Sequence, residues 1–89
     1  MYGVRWARRA LEDLASLWIQ ADTRQRQAIS TASHAVEMRV RNDPWSQSES
    51  RDKGCRITFH APLAVTYRIE ADGNTASILQ IRIFRKRNV

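Results

Sequence analysis

Tyr2, Val4 and Trp6 alternate with Gly3 and Arg5, the two-residue period of a short half-buried strand whose apolar side falls on the even positions. From Ala7 the period lengthens: Ala7, Ala10, Leu11, Leu14, Leu17, Trp18 and Ala21 recur at spacings of three and four, with Arg8, Arg9, Glu12, Asp13, Ser16 and Gln20 opposite. That stripe describes an amphipathic helix of about four turns. Asp22 and Gln25 have the spacing of a capping box, so the first helix should stop near Ala21 and a second begin at once. The second helix carries its apolar line on Ala28, Ile29, Ala32, Val36 and Val40, and Asp43-Pro44 ends it. Small residues at Ala28, Ala32 and Ala35 predict close approach of the two helices in an antiparallel hairpin.

The polar stretch from Trp45 to Gly54 has neither period and reads as an exposed loop. Period two returns in Arg56 to His60, Ala64 to Glu70 and Ser77 to Arg85, separated by Ala61-Pro62-Leu63 and Asp72-Gly73-Asn74. Both separators are turn chemistry, which predicts an antiparallel meander. The expected fold is α+β, in the order β-α-α-β-β-β, with the helical hairpin on one face of a small, mainly antiparallel sheet. At 89 residues the chain accommodates one domain, 1–89, and no internal repeat.

Alternation also predicts what each sheet face carries. With Ile57, Phe59, Val65, Tyr67, Ile69, Leu79, Ile81 and Ile83 turned to the helices, the open face receives Arg56, Thr58, His60, Thr66, Arg68, Glu70, Gln80, Arg82 and Phe84, with exposed Ile78 beside them and Arg5 from the first strand. Arginines from four strands would then share one surface. The functional reading is a groove for a phosphate backbone; the bland one is a solvated sheet face partly neutralised by Glu70.

Charge sharpens that reading. Fifteen Lys and Arg against nine Asp and Glu leave a net charge of +6, and thirteen of the fifteen cations are Arg, whose planar fork binds phosphate or carboxylate through two parallel hydrogen bonds. A polyanion or an acidic protein is the expected partner. The closing Phe84-Arg85-Lys86-Arg87 adds a basic cluster that would grip RNA or an acidic segment, or simply solubilise the end of the chain. Cys55 is the lone cysteine, so neither a disulfide nor a thiolate metal cage is expected, and a reducing compartment fits. No apolar run approaches the roughly 18 residues of a membrane span, and the N-terminal stretch lacks a signal-peptide core; a cytoplasmic location is expected.

Candidate catalytic groups are few. His60, at a strand end beside Pro62, has the chemistry of a general acid or base near neutral pH, although a lone His more often serves structure. His34 falls on the second helix among polar neighbours, and Tyr67 falls on the core face. No spacing suggests a metal site, a phosphate-cradling Gly-rich loop or a serine nucleophile elbow, and no cofactor is expected.

Several segments together resemble the RelE/ParE superfamily of bacterial toxin-antitoxin toxins. They are Tyr2-x-Val4-x-Trp6-Ala7-x-x-Ala10-Leu11-x-x-Leu14, then Asn42-Asp43-Pro44, and the meander Arg56-Ile57-x-Phe59, Leu63-x-Val65-x-Tyr67-Arg68-Ile69 and Ile78-Leu79-x-Ile81-Arg82-Ile83. The resemblance implies a toxin silenced by a cognate antitoxin, acting by ribosome-dependent cleavage of mRNA or by poisoning DNA gyrase. It assigns catalytic or phosphate-positioning roles to Arg56 and to Arg82 or Arg85; on the residues' own chemistry His60 is a further catalytic candidate, and Arg5, Arg56, Arg68, Arg82, Arg85, Lys86 and Arg87 are the expected nucleic-acid contacts. Thr58 and Ala64 stand where the family pattern has further basic residues, and no Tyr or His follows Phe84. The alternative is a toxin-like fold without catalysis that binds nucleic acid or protein.

Overall fold

The structure is a computed structural model that describes residues 1–84. Strand β1 (Gly3–Trp6) leads into helix α1 (Arg8–Gln20) and helix α2 (Thr23–Asn42). The expected capping box joins the helices: the Gln25 backbone N–H donates to Asp22 Oδ1, and the Asp22 N–H donates to Gln25 Oε1, each at 2.8 Å. These two bonds satisfy donors that the first turn of α2 otherwise leaves open, which lets α2 start with only Ala21 and Asp22 between it and α1.

Beyond α2 the segment expected as a loop holds a two-residue strand, β2 (Glu49–Ser50), and one turn of 3-10 helix at Asp52–Gly54. Strands β3 (Cys55–His60), β4 (Leu63–Ile69) and β5 (Thr75–Ile83) then form the meander. The sheet order is β1-β5-β4-β3-β2, antiparallel except for the parallel pair β1 and β5. The expected β-α-α-β-β-β order is thus present, with β2 inserted as a short edge strand. In the turn before β5, Gly73 takes a positive φ of 73°, and Asp72 accepts hydrogen bonds from Asn74 N–H, Thr75 N–H and the Thr75 hydroxyl. The Asn74 and Thr75 bonds hold the Asp72 carboxyl below its ordinary pKa.

Ala10, Ile29, Ala32, Val36 and Val40 from the helices meet Leu63, Val65, Tyr67, Ala76, Ile78 and Ile81 from the sheet to make the core. Of the three small residues expected at the helix crossing, Ala32 is fully buried, Ala35 partly so and Ala28 exposed. Tyr67 is buried as expected, and its hydroxyl donates to the Pro44 carbonyl, tying the end of α2 to the sheet.

Two expectations about sheet faces are overturned. Ile78, placed on the open face by unbroken alternation, is fully buried against the helices. The pairing shifts between Thr66 and Tyr67: Thr66 pairs with Gln80, but Tyr67 pairs with Ile78, leaving Leu79 as an extra residue. This bulge resets the phase, so Ala76 and Ile78 point inward before it and Ile81 after it. In β3 the faces are exchanged outright. Antiparallel partners share a face, and β3 pairs Arg56 with Tyr67, Thr58 with Val65 and His60 with Leu63, all three partners being buried core residues. Arg56, Thr58 and His60 therefore lie on the helix side, and Ile57 and Phe59 on the open side.

The physical reason is what covers β3. The helix layer ends there on polar groups, so the inward positions are served by hydrogen bonds instead of apolar packing. Thr58, 0% exposed, accepts from Arg39 Nη1 of α2 at 2.7 Å and donates to the Gln47 carbonyl at 2.8 Å.

Candidate nucleic-acid interface

Three of the four expected arginines do meet on the open face, one from each of three adjacent strands. Arg5 of β1 pairs in register with Ser77, which in turn pairs with Arg68 of β4. The Arg5 Nε donates to Ser77 Oγ at 3.3 Å, and Ser77 is itself fully buried beneath it. Arg82 lies further along β5, opposite Ala64. The outward side of β3 and the end of β5 add Ile57, Phe59 and Phe84, with the two Phe rings tilted against each other at 4.8 Å between centroids. Phe84 is on the face expected of it; Phe59 arrives there because β3 is turned over, and is 37% exposed. The surface thus combines guanidinium groups with aromatic edges and faces, the pairing that single-stranded nucleic acid requires for its phosphates and unstacked bases.

Arg56, the expected fourth arginine, belongs to a different structure. Its Nε donates to Ser48 Oγ at 2.8 Å, its Nη1 to Ser50 Oγ at 3.1 Å, and its Nη2 to the Trp45 and Ser48 carbonyls, both at 3.3 Å. The guanidinium also stands 5.3 Å from the centroid of the Trp45 ring. Four hydrogen bonds to one loop make Arg56 the clamp that holds residues 45–50 against β3, and they leave it turned away from the open face. Arg56→Ala is therefore expected to lower stability by about 1–3 kcal/mol, the range for losing hydrogen bonds from a charged donor, as read by urea denaturation. RNA affinity at fixed salt should change less than for Arg82→Ala. A variant of unchanged stability with lost RNA binding would return Arg56 to the interface.

His60 is likewise on the helix side, its Nδ1 3.3 Å from the Ala61 carbonyl, so it does not join the arginines. Arg85, Lys86 and Arg87 lie outside the described residues. His34 is exposed on α2, and the Tyr2 hydroxyl accepts from Trp45 Nε1 at 3.3 Å. All four His and Tyr side chains of the chain are thus off the arginine face. Among the described residues no group of three or more His, Cys, Asp and Glu could hold a metal ion, and no helix is long and apolar enough to cross a membrane.

Two helix residues outside the expected apolar stripes reach the sheet. Arg39 of α2 supplies the partner of the buried Thr58 hydroxyl. Arg9, on the solvent stripe of α1, extends to Gln80 on β5. Neither contact has a local sequence signal, because each joins positions far apart in the chain. On the opposite layer Leu11, Leu14, Ala15, Trp18 and Ile19 of α1 and Ile29 of α2 line an apolar groove of about 370 Å³, with Ile19 74% exposed.

No family model matches the sequence, and no curated protein matches it. Solved structures do. The chain superposes on the RelBE2 toxin-antitoxin complex from Mycobacterium tuberculosis with a TM-score of 0.71 and 19% identity, covering 92% of this chain and 96% of that one. It superposes on the chromosomal ParDE system of P. aeruginosa with a TM-score of 0.75 and 18% identity, covering 96% and 98%. The YoeB/ParE toxin from Agrobacterium tumefaciens gives 0.67 and 17%, covering 93% and 99%. At these identities it is the backbone arrangement that is shared: two helices on a five-stranded mixed sheet, the fold of the solved toxin structures on which the chain superposes.

Proposed function

We propose that this protein is the toxin of a type II toxin-antitoxin module and that its open sheet face engages single-stranded RNA, with mRNA in translation as the target. The observation that carries this reading is the placement of Arg5, Arg68 and Arg82 on one face beside Phe59 and Phe84. Guanidinium forks bind the phosphates and exposed rings stack on splayed bases, whereas a purely electrostatic contact with duplex DNA has no need of the rings. If the strand is cut, the arginines stabilise charge on the phosphoryl oxygens as the 2′-hydroxyl gives its proton to water and attacks phosphorus, and the 5′-oxygen leaves with a proton taken from water. With His60 and Tyr67 turned away, no imidazole or phenol on that face carries the proton steps. Cleavage by this chain is therefore a matter of charge stabilisation and positioning.

The silencing partner in this reading is an antitoxin with an amphipathic segment: its apolar side fills the groove around Leu11, Trp18 and Ile19, and its acidic side meets a chain of net charge +6. Expression in bacteria alone and together with the product of the adjacent reading frame, expected to be short and acidic, tests the module. Growth arrest is expected only when the partner is absent, with new primer-extension ends in translated mRNA. Normal growth in both cultures would refute a toxin, and arrest with gyrase cleavage complexes and intact mRNA would move the target to gyrase.

A further inference from the structure

The pairing of β1 with β5 stops at Trp6 opposite Ile78, where the chain turns into α1 through an Ala7 N–H to Ile78 carbonyl bond of 2.9 Å. From Leu79 onward that edge of β5 has no neighbouring strand among the described residues, and the first turns of α1 run beside it instead. Asp13 closes one open position by accepting the Ile81 backbone N–H at 3.0 Å, a familiar way of blunting a strand edge. One turn earlier on the same stripe, Arg9 reaches past the edge to the Gln80 side chain. With the Gln80 amide turned so that its oxygen meets the surrounding donors, that oxygen accepts from Arg82 Nε at 2.9 Å, Arg82 Nη2 at 2.8 Å and Arg9 Nη2 at 3.1 Å. The opposite orientation would set the amide N–H groups against all three donors.

We propose that Arg9, Gln80 and Arg82 form a phosphate clamp, in which the neutral Gln80 amide holds two guanidinium groups together to receive one phosphodiester of a bound strand. This rests on the reading of the open face as an RNA surface, and adds to it a positioning residue and an arginine from the helical layer. Two donors bonded to one oxygen at these distances lie no more than about 6 Å apart, close for like charges. The amide satisfies their hydrogen bonds without cancelling their charge. Among the described residues the single ion pair, Arg51 with Glu49, is on the far edge of the sheet at β2. Arg82 spends its Nε side on Gln80, which leaves its outer edge, and the remaining donors of Arg9, for an anion. A phosphodiester has two non-bridging oxygens and one charge, so it can bridge both guanidinium groups and relieve their repulsion. Gln80 thus acts through its neighbours and does not itself need to touch the phosphate.

The test is binding of a labelled single-stranded oligoribonucleotide to the full chain across a salt series, with circular dichroism and thermal melts confirming the fold of each variant. Arg9→Ala is expected to weaken binding about five-fold at ~0.1 M salt and to reduce the slope of log K against log salt by about 0.7, the share of one single-strand phosphate contact. Arg24→Ala, which removes an equal charge from the exposed side of α2, should change affinity less than about 1.5-fold. Gln80→Leu leaves net charge untouched yet should weaken binding several-fold, and adding Arg9→Ala to it should cost less than Arg9→Ala alone, since both act through one contact. If Gln80→Leu perturbs the melt, Gln80→Glu replaces it: an acceptor of the same shape whose charge competes with the phosphate and should also weaken binding. Equal losses for Arg9→Ala and Arg24→Ala, or wild-type binding by the Gln80 variants, would overturn the clamp. Wild-type binding by Arg82→Ala as well would instead remove the open face as the RNA surface.

Discussion

Alanine at Arg5, Arg68 and Arg82 together is expected to abolish growth arrest and to weaken binding of a single-stranded oligoribonucleotide by about 10²-fold near physiological salt. The size follows from charge-assisted contacts, which contribute about 1.5–3 kcal/mol each when desolvated and less on a wet surface, where part of each is counterion release. Three such contacts removed from one face leave the Phe59 and Phe84 rings to stack without phosphate anchors. The loss should shrink as salt rises, because the contacts removed are the salt-dependent ones. Folding should be little altered: Arg5 and Arg82 are exposed and make their side-chain bonds, to Ser77 and Gln80, from the outer side of the sheet, and Arg68 Nη2 reaches the Cys55 sulfur only at 4.0 Å. Retained arrest by the triple variant would exclude this face as the toxic surface, whatever its affinity for RNA.

Thr58→Arg should be the most destabilising single change considered, by about 3–5 kcal/mol, with the melting temperature down by more than about 12 °C. A comparison of patterns would introduce it as a repair, since the superfamily rhythm has a basic residue there. The packing forbids it. Thr58 is fully buried between Arg39 Nη1 and the Gln47 carbonyl, so a guanidinium at that position meets a like charge in a space sized for a hydroxyl and a methyl. Small domains are stable by only about 5–15 kcal/mol, so a loss of this size leaves a substantial unfolded fraction on warming. Differential scanning calorimetry reads it directly. A well-folded Thr58→Arg chain with increased RNA affinity would mean that β3 shows its even positions to solvent, and the assigned faces of the sheet would have to be exchanged.

The contrast between Arg82 and Arg56 shows how far the candidate site was legible. Both sit in period-two segments beside apolar neighbours, and alternation puts both on the open face. For Arg82 this is right, because β5 is covered by the central core and Ile81 must point inward. For Arg56 it is wrong, because β3 lies next to the sheet edge, beneath the loop after α2, where Ser48, Ser50 and two carbonyls offer an arginine as many hydrogen bonds as water would. Alternation assumes that the inward side is apolar, and near an edge covered by a polar loop that assumption lapses. Ile78 fails for a second reason: one extra residue, Leu79, resets the phase within a single strand, and nothing in Ser77-Ile78-Leu79-Gln80 marks it.

What the sequence determined by itself was local and periodic. The amphipathic stripe of α1, the Asp22–Gln25 box and the stop at Asp43-Pro44 each depend on residues a few positions apart, and the structure contains all three. The excess of arginine over acid is likewise a property of composition. Tertiary structure alone decided which of those arginines share a surface. Register sets the partner of each β3 residue, the loop after α2 supplies polar cover, and the bare edge of β5 lets Arg9 cross from the helical layer to Gln80. These are contacts between positions up to 71 residues apart, and a side chain chooses between two faces by what waits on each, which periodicity along the chain does not encode.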